Sequence, residues 1–253
     1  MPKLTAILDA DILIYQAALQ VEHEHRWDDG MWTYHAEEEH GQHALRSAIE
    51  SLVVTLKADD FVLPLTDLDR NWRLDILPTY KGNRKGTRRP LLRRHLFEWC
   101  LTEYGSRAYM RPTLEGDDVA GILLTHPTLI QGDRILASLD KDMKTLPGKH
   151  YNQGNGRFFE INSEEADWWH LYQTLTGDTT DGYTGCPGVG PKKALELLNT
   201  EDPLWPVVVA AYRKAGLSEQ VAIQQARVAR ICRHTDYDYK KRKPILWTPE
   251  QNC

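Results

Sequence analysis

Apolar and polar residues fall in blocks along the chain, and the period changes from block to block. Residues 4–8, "LTAIL", form a short unbroken apolar run that ends at Asp9. "DDFVLPLTD" repeats the arrangement and reaches Asp67, and "DRILASLDKD" reaches Asp140 and Asp142. Runs of this length, bounded by polar residues, predict buried strands with an acid at the carboxyl end. Between them, over residues 42–56, 90–103 and 114–124, apolar positions recur every three or four residues, which predicts helices. "INSEEADWWHLYQTLTG" predicts another helix, with Asn162 or Ser163 as N-cap, acids in its first turn and an apolar face of Trp168, Trp169, Leu171, Tyr172 and Leu175. "LSEQVAIQQARVARICRH" is amphipathic, and from Gly177 onward the pattern reads as helical throughout. Strands alternating with helices predict an α/β fold, a central mostly parallel sheet flanked by helices. The expected division is an α/β body over residues 1–175 and a helical C-terminal subdomain over residues 176–253.

In such sheets ligands bind beyond the carboxyl ends of the strands. One Asp after a strand is a turn residue or helix cap; the same placement on three strands points to function. "LEGDDVAGILL" adds Glu115, Asp117 and Asp118 at the head of an otherwise apolar helix. Acids suit a helix start, but crowded at a buried one they repel each other unless a cation neutralises them. Asp178 and Asp181 follow in "GDTTDGYTG". An all-carboxylate set with no Cys or His suits Mg²⁺ or Mn²⁺ rather than zinc. Two such ions about 3.5–4 Å apart can activate a water and stabilise the leaving oxygen of a phosphodiester. His23, His25, His35, His40 and His43 crowd a Glu-rich stretch, but their irregular spacing favours a solvated polar face over a zinc site.

The basic counterpart is "YKGNRKGTRRPLLRR", a gateway over residues 80–95 with no acid in it. It follows the strand that delivers Asp67. Lys81 and Arg84 are placed to offset charge on a reacting phosphate. Lys85, Arg88 and Arg89 are placed to grip phosphates, and Tyr80 to stack on a terminal base. A second phosphate grip is the turn "GCPGVGPKK". There Gly185, Gly188 and Gly190 let backbone N–H groups approach a phosphate at a helix start, and Lys192 and Lys193 add charge. Such a turn holds duplex backbone without reading sequence.

The net charge of −5 argues against a nucleic-acid partner only until the nine assigned acids are set apart from the 36 Asp and Glu. Against 31 Lys and Arg the remainder is mildly basic, compatible with phosphate binding around an acidic metal pocket. No apolar run is long enough to span a membrane, and the first residues lack the order of a signal peptide. Cys100, Cys186, Cys232 and Cys253 are scattered, as expected for reduced thiols in a cytoplasm.

The pieces "LDADILIYQA", "LTDLDRNWR…PTYKGNRK", "LEGDDVAG", "LASLDKDMKTLP", "EEADWWHLYQTLTGDTTDGYTGCPGVG" and "ARVARICR…LWTP" span nearly the whole chain in order. In these the chain resembles the 5′-nuclease (flap endonuclease-like) superfamily, and most of all the stand-alone 5′→3′ exonucleases of tailed bacteriophages. The resemblance implies a PIN-like sheet and a helix-three-turn-helix DNA-binding element at residues 182–198. It implies two Mg²⁺ ions, one held by Asp9, Asp67, Glu115, Asp117, Asp118 and Asp140, the other by Asp142, Asp178 and Asp181. Lys81 and Arg84 resemble the family's arch pair, and the glycine turn matches one that often holds K⁺. The implied substrates are double-stranded DNA with 5′ ends, nicks or flaps, and RNA–DNA hybrids, in a bacterial host cytoplasm and with any replicative polymerase a separate protein. Asp11 stands where many members have a neutral residue, and Gln173 where some have lysine. A PIN-type ribonuclease would leave the glycine turn unexplained. A non-catalytic DNA-structure binder would leave nine carboxylates unexplained.

Overall fold

The computed structural model describes residues 3–84 and 86–249. In chain order the elements are β1 (Leu4–Leu8), α1 (Ala10–Gln20), β2 (His23–Arg26), β3 (Trp32–His35), α2 (Glu38–Leu56), β4 (Asp60–Leu65), α3 (Arg73–Ile76), α4 (Arg93–Tyr104), β5 (Ala108–Met110), α5 (Gly116–Thr125), β6 (Asp133–Ser138), β7 (Gly148–Asn152), β8 (Arg157–Ile161), α6 (Ser163–Thr176), α7 (Pro191–Leu198), α8 (Leu204–Lys214), α9 (Glu219–Ala229), β9 (Tyr237–Asp238) and β10 (Lys243–Pro244). Six strands form the central sheet in the order β5-β4-β1-β6-β7-β8. All neighbours are parallel except β7 and β8, which pair as an antiparallel hairpin at one edge. The three acid-bearing runs are β1, β4 and β6. They lie side by side at the centre, with Thr5 opposite Asp60 on one flank and Arg134 on the other. Their carboxyl ends therefore open at one place.

Apolar side chains fill both faces, as a parallel sheet requires. One face carries α1, α2 and α4 through Leu13, Ile14, Leu45, Ile49 and Leu96. The other carries α5 through Val119, Ile122 and Leu123, with Ile231, Cys232 and Tyr237 of the C-terminal segment packed against it. A third core joins α6 to α7, α8 and α9 around Leu171, Leu175, Val208, Tyr212 and Trp247. The boundary expected at residue 175 falls at the end of α6, whose apolar face lies on this helical side.

Three features depart from the sequence pattern. The first part of the histidine-rich stretch, residues 23–35, is an exposed antiparallel hairpin turned at Asp28-Asp29-Gly30, with Gly30 at φ 83°, while His40 and His43 lie on α2. The edge hairpin of β7 and β8 was not anticipated either. The chain after Gly177 is not all helical, because β9 and β10 pair as a short antiparallel ladder. The helices match better. α2 starts before residue 42 because Glu38 and Glu39 suit its first turn, and α5 starts behind a capping box of Glu115 and Asp118. Among the described residues no helix is long and apolar enough to cross a membrane.

Candidate active site

A cavity of about 1350 Å³ opens at the carboxyl ends of the central strands. Asp9, the N-cap of α1, enters from the end of β1 and accepts hydrogen bonds from Ser138 Oγ (2.6 Å) and the Ile12 amide (3.3 Å). Asp140 follows β6 and caps a short 3-10 turn through the Asp142 amide (2.8 Å). Glu115 and Asp117 come from the start of α5, and Asp181 from the loop between α6 and α7. Asp142 and Asp178 stand behind that lining: Asp142 accepts from Gln173 Nε2 (2.5 Å), and Asp178 from the amides of Thr180 and Asp181.

Crowding sets the electrostatics. Burial, with Asp11 and Asp140 nearby, pushes the Asp9 carboxyl up to about 7. Burial together with Asp9 and Asp140 raises Asp117 well above the carboxylate range. Asp142 is pushed up to about 7 by burial and by Asp140, Asp178 and Asp181 around it. Two cations reach into the group. Lys81 Nζ donates to Glu115 Oε1 at 2.5 Å and lies 3.6 Å from Asp181 Oδ2; Arg84 Nη2 donates to Asp181 Oδ1 at 2.5 Å. Burial works against the Lys81 ammonium, yet Glu115, Asp181 and Asp117 hold it above its ordinary value. Among the described residues no three acidic, His or Cys side chains converge closely enough to hold an ion as they stand. The donors are all oxygen, and their mutual repulsion is of the kind a hard divalent cation relieves. In that sense the set fits metal.

Several expected site residues are engaged elsewhere. Asp118 is fully buried and does not line the cavity. Its oxygens accept from Arg73 Nη1 and Nη2 (2.7 and 2.8 Å), Trp72 Nε1 (2.9 Å), the Cys232 amide (3.0 Å) and the Glu115 amide (3.2 Å), which leaves it saturated as a structural acid. Asp67 lies on the cavity wall, but both its oxygens are engaged, one closing a turn by accepting from the Asp69 amide and the other accepting from the distant Thr113 amide. Tyr80 is no free stacking platform. It is 5% exposed and donates its hydroxyl to Glu115 Oε2 and Asp181 Oδ2 (2.9 and 2.8 Å). Arg88 and Arg89 both line the cavity, but the Arg88 guanidinium is held by Glu22 (2.5 Å). Lys85 lies outside the described residues.

The glycine turn divides in two. A Cβ on Gly185 would meet the backbone nitrogen of Gly177 at 2.3 Å, so this glycine serves internal packing. Nothing stands within 4 Å of such an atom at Gly188 or Gly190, which leaves that side open to an approaching backbone. Gly190 caps α7, Lys192 and Lys193 are exposed on its first turn, and Lys193 Nζ donates to the Gly188 carbonyl (3.1 Å).

The sequence pattern missed Arg73. Only 2% exposed, it bonds Glu115 and Asp118 and also donates from Nε to the Val228 carbonyl (2.9 Å) and from Nη2 to that of Arg230 (2.7 Å). Its one signal was an arginine set between Trp72 and Leu74 just ahead of the basic run. Asp11, left without a role by the sequence, also faces the cavity. It accepts from Thr66 Oγ1, which in turn accepts from the Gly116 amide (2.7 Å) between the two α5 acids.

Parallel strands that deliver acids to one cavity, walled by Lys81 and Arg84, define a phosphodiesterase-like α/β site. No protein-family profile matches the chain. It is 30% identical to an exodeoxyribonuclease of Enterobacteria phage T3, over 96% of this chain and 92% of that protein. It is likewise 30% identical to an exonuclease of Escherichia phage T7, over 96% and 93%. A flap endonuclease Xni of Vibrio campbellii is 31% identical over 65% of this chain and 67% of its own. In fold it matches a phage T5 protein co-crystallised with metal ions, with TM-score 0.62, 16% identity and coverage of 90% and 89%. A phage T5 flap endonuclease in a pseudo-enzyme-product complex with DNA and metal ions gives TM-score 0.59 and 17% identity over 90% and 89%. The chain belongs to the 5′-nuclease superfamily, alongside the phage exonucleases, and is a nuclease that hydrolyses phosphodiester bonds.

Proposed function

We propose that this nuclease removes nucleotides 5′→3′ from duplex DNA and cuts 5′ flaps, using two divalent ions in the cavity. The observation that carries the reading is the meeting of acids from adjacent strand ends with Lys81 and Arg84 across one cavity. Asp9, Glu115, Asp117 and Asp140 form one ion's neighbourhood, and Asp142, Asp178 and Asp181 the other's. Asp67 stands at the rim, and Asp118 belongs to the support rather than to the ligands. Bound there, divalent ions supply an activated water and a counter-charge for the leaving oxygen. Mg²⁺ is the natural ion for an all-oxygen set, and Mn²⁺ substitutes.

The chain's own residues do the rest. Lys81 and Arg84 are within reach of Glu115 and Asp181, so a phosphate held against those acids sits beside both cations. Arg89 draws the 5′ strand into the cavity. The open face at Gly188 and Gly190, the amides at the start of α7 and Lys192 and Lys193 hold the duplex backbone, within the element expected at residues 182–198. The turn's carbonyls are also suited to K⁺. Because these contacts address phosphate rather than base edges, RNA–DNA hybrids are substrates too, and RNA primers place the enzyme beside a separate polymerase in a bacterial cytoplasm.

The test is a Mg²⁺-started digestion of one blunt duplex labelled separately at its 5′ and 3′ ends, with an EDTA control. Immediate release of the 5′ label, with stepwise shortening read from the 3′ label, is the expected result. Loss of the 3′ label first would overturn the polarity. Cutting of single-stranded RNA alone would overturn the substrate.

A further inference from the structure

The start of α1 carries two carboxylates, and each is tied to the end of a different flanking strand. Asp9 is tied to β6, where Ser138 Oγ donates to its Oδ2 (2.6 Å) and accepts from the Asp140 amide (2.9 Å). Asp11 is tied to β4. There Thr66, the residue after the strand, donates its hydroxyl to Asp11 Oδ2 and accepts from the Gly116 amide (2.7 Å). The two hydroxyls play the same part. Each joins an acid of α1 to a backbone amide at the cavity. One amide is that of Asp140, and the other lies between Glu115 and Asp117.

The chemistry of the hydroxyl accounts for an acid at position 11. A threonine hydroxyl has one proton to give. Once its oxygen has taken the Gly116 N–H, that proton needs an acceptor. A carboxylate makes the bond charge-assisted, roughly twice as strong as a neutral one, and polarises the hydroxyl toward the amide. The Gly116 N–H needs such a partner, because amides at the head of a helix have none within it. The packing leaves no slack. A Cβ on Gly116 would stand 2.7 Å from Asp11 Oδ2 and 3.5 Å from the Pro64 carbonyl oxygen. Asp11, Thr66 and the backbone of Gly116 thus fit together as one unit drawn from α1, the end of β4 and α5.

We propose that Asp11 and Thr66 are positioning residues that hold the head of α5, so that Glu115 and Asp117, on either side of Gly116, stand where the ions need them. Asp11 itself binds no ion. Its carboxylate acts through the Thr66 hydroxyl, as Asp140 is held through Ser138. The inference rests on the two-ion reading of the cavity.

The test measures Mn²⁺ affinity by isothermal titration calorimetry, without DNA, on wild type, Asp11→Ala, Asp11→Asn, Thr66→Val and Thr66→Ser. Thr66→Val keeps the shape and loses the hydroxyl, and Asp11→Ala removes the acceptor. Each should weaken Mn²⁺ binding by about tenfold or more, as loss of a group that orients metal ligands does. Asp11→Asn keeps a neutral acceptor and should fall between Asp11→Ala and wild type. Thr66→Ser restores the hydroxyl and should bind like wild type. Hydrogen exchange at the Gly116 amide, followed by NMR in the metal-free protein, should quicken in Thr66→Val and Asp11→Ala but not in Thr66→Ser. Wild-type affinity in Thr66→Val overturns the relay, and a loss confined to the Asp11 variants makes Asp11 a ligand instead. Equal losses in Thr66→Val and Thr66→Ser reduce the role to packing and overturn it as well. A wild type that binds no Mn²⁺ removes the two-ion reading and the positioning of ligands with it, while amide exchange still decides whether Asp11 and Thr66 fix Gly116.

Discussion

Replacing Arg73 with methionine removes one cation from between two buried acids. The three side chains are 3%, 9% and 0% exposed for Arg73, Glu115 and Asp118, so water cannot take over the arginine's role. Arg73 also satisfies the carbonyls of Val228 and Arg230. Breaking a buried pair in this way costs about 3–5 kcal/mol. Glu115 keeps Lys81, and Asp118 keeps Trp72 and the Cys232 amide, which argues for the lower half of that range. At about 2–4 °C per kcal/mol for a chain of this size, the melting temperature should fall by about 6–16 °C. The pH dependence gives the sign of the cause. In the wild type, burial alone would raise both carboxyls, but Arg73 outweighs it and holds them below their ordinary values. Their contribution to stability is therefore present above the unfolded values of 4.5 and 3.8 and lost as pH falls through the folded ones. In the variant, burial without the arginine raises both, so they destabilise at neutral pH and cease to as they protonate. Differential scanning calorimetry at pH 7.5 and pH 5 should show the deficit narrowing at the lower pH. A loss under about 1 kcal/mol, or a deficit that stays constant with pH, would refute the claim that Arg73 neutralises buried acids.

Asp140→Asn should abolish cleavage while leaving duplex binding by fluorescence anisotropy near wild type; full activity would remove Asp140 from the metal site. Lys81→Ala should slow single-turnover cleavage by about 10²-fold or more with a small change in affinity, because Arg84, Arg89 and the α7 lysines share the binding. A large loss of affinity at an unchanged rate would contradict its role at the reacting phosphate. The raised carboxyls of Asp9 and Asp142 make the metal-free protein lose stability as pH climbs from 3.8 toward about 7, where the folded groups ionise. Saturating Mg²⁺ should restore it, by about 2.7 kcal/mol at a hundredfold excess over Kd. Thermal melts across that range with and without EDTA check both, and coinciding curves would argue against an ion site. Finally, Gly185→Ala should lower the melting temperature sharply because its methyl meets the Gly177 backbone, whereas Gly188→Ala, with open space but φ at 74°, should cost about 1 kcal/mol and mainly weaken duplex binding. Equal effects on folding from the two substitutions would erase the distinction between packing glycine and binding glycine.

The parallel core was legible because β1, β4 and β6 are short apolar runs, and their acids fell where parallel topology puts a cavity. The hairpins were not, although Asp28-Asp29-Gly30 is a turn signal. Polar, exposed strands such as "HEHR" carry no hydrophobic period, and their pairing rests on backbone bonds and exposed side-chain contacts such as Arg26 over the Trp32 ring. Within the site, residue type was easier to read than direction. Asp117 and Asp118 are neighbours in sequence, but one helical step turns the first into the cavity and the second onto Arg73. Nothing in the residue pattern distinguishes them until the partner from residue 73 is in place. Tyr80 misled for a related reason: an aromatic beside basic residues looks like a stacking surface, and only the two acids at its hydroxyl show it to be a strut.

The reach of Arg73 also bears on the order in which the protein is made. Its carbonyl partners lie 155 and 157 residues further along the chain, and the amide that completes Asp118 belongs to Cys232. A ribosome builds the sheet and all three acid-bearing ends of its central strands long before those groups emerge. Until then Glu115 and Asp118 share a cation that is itself only half held, and the turn they occupy lacks its last clasp. The buried cluster behind Glu115 can therefore close only once residues 228–232 have been made.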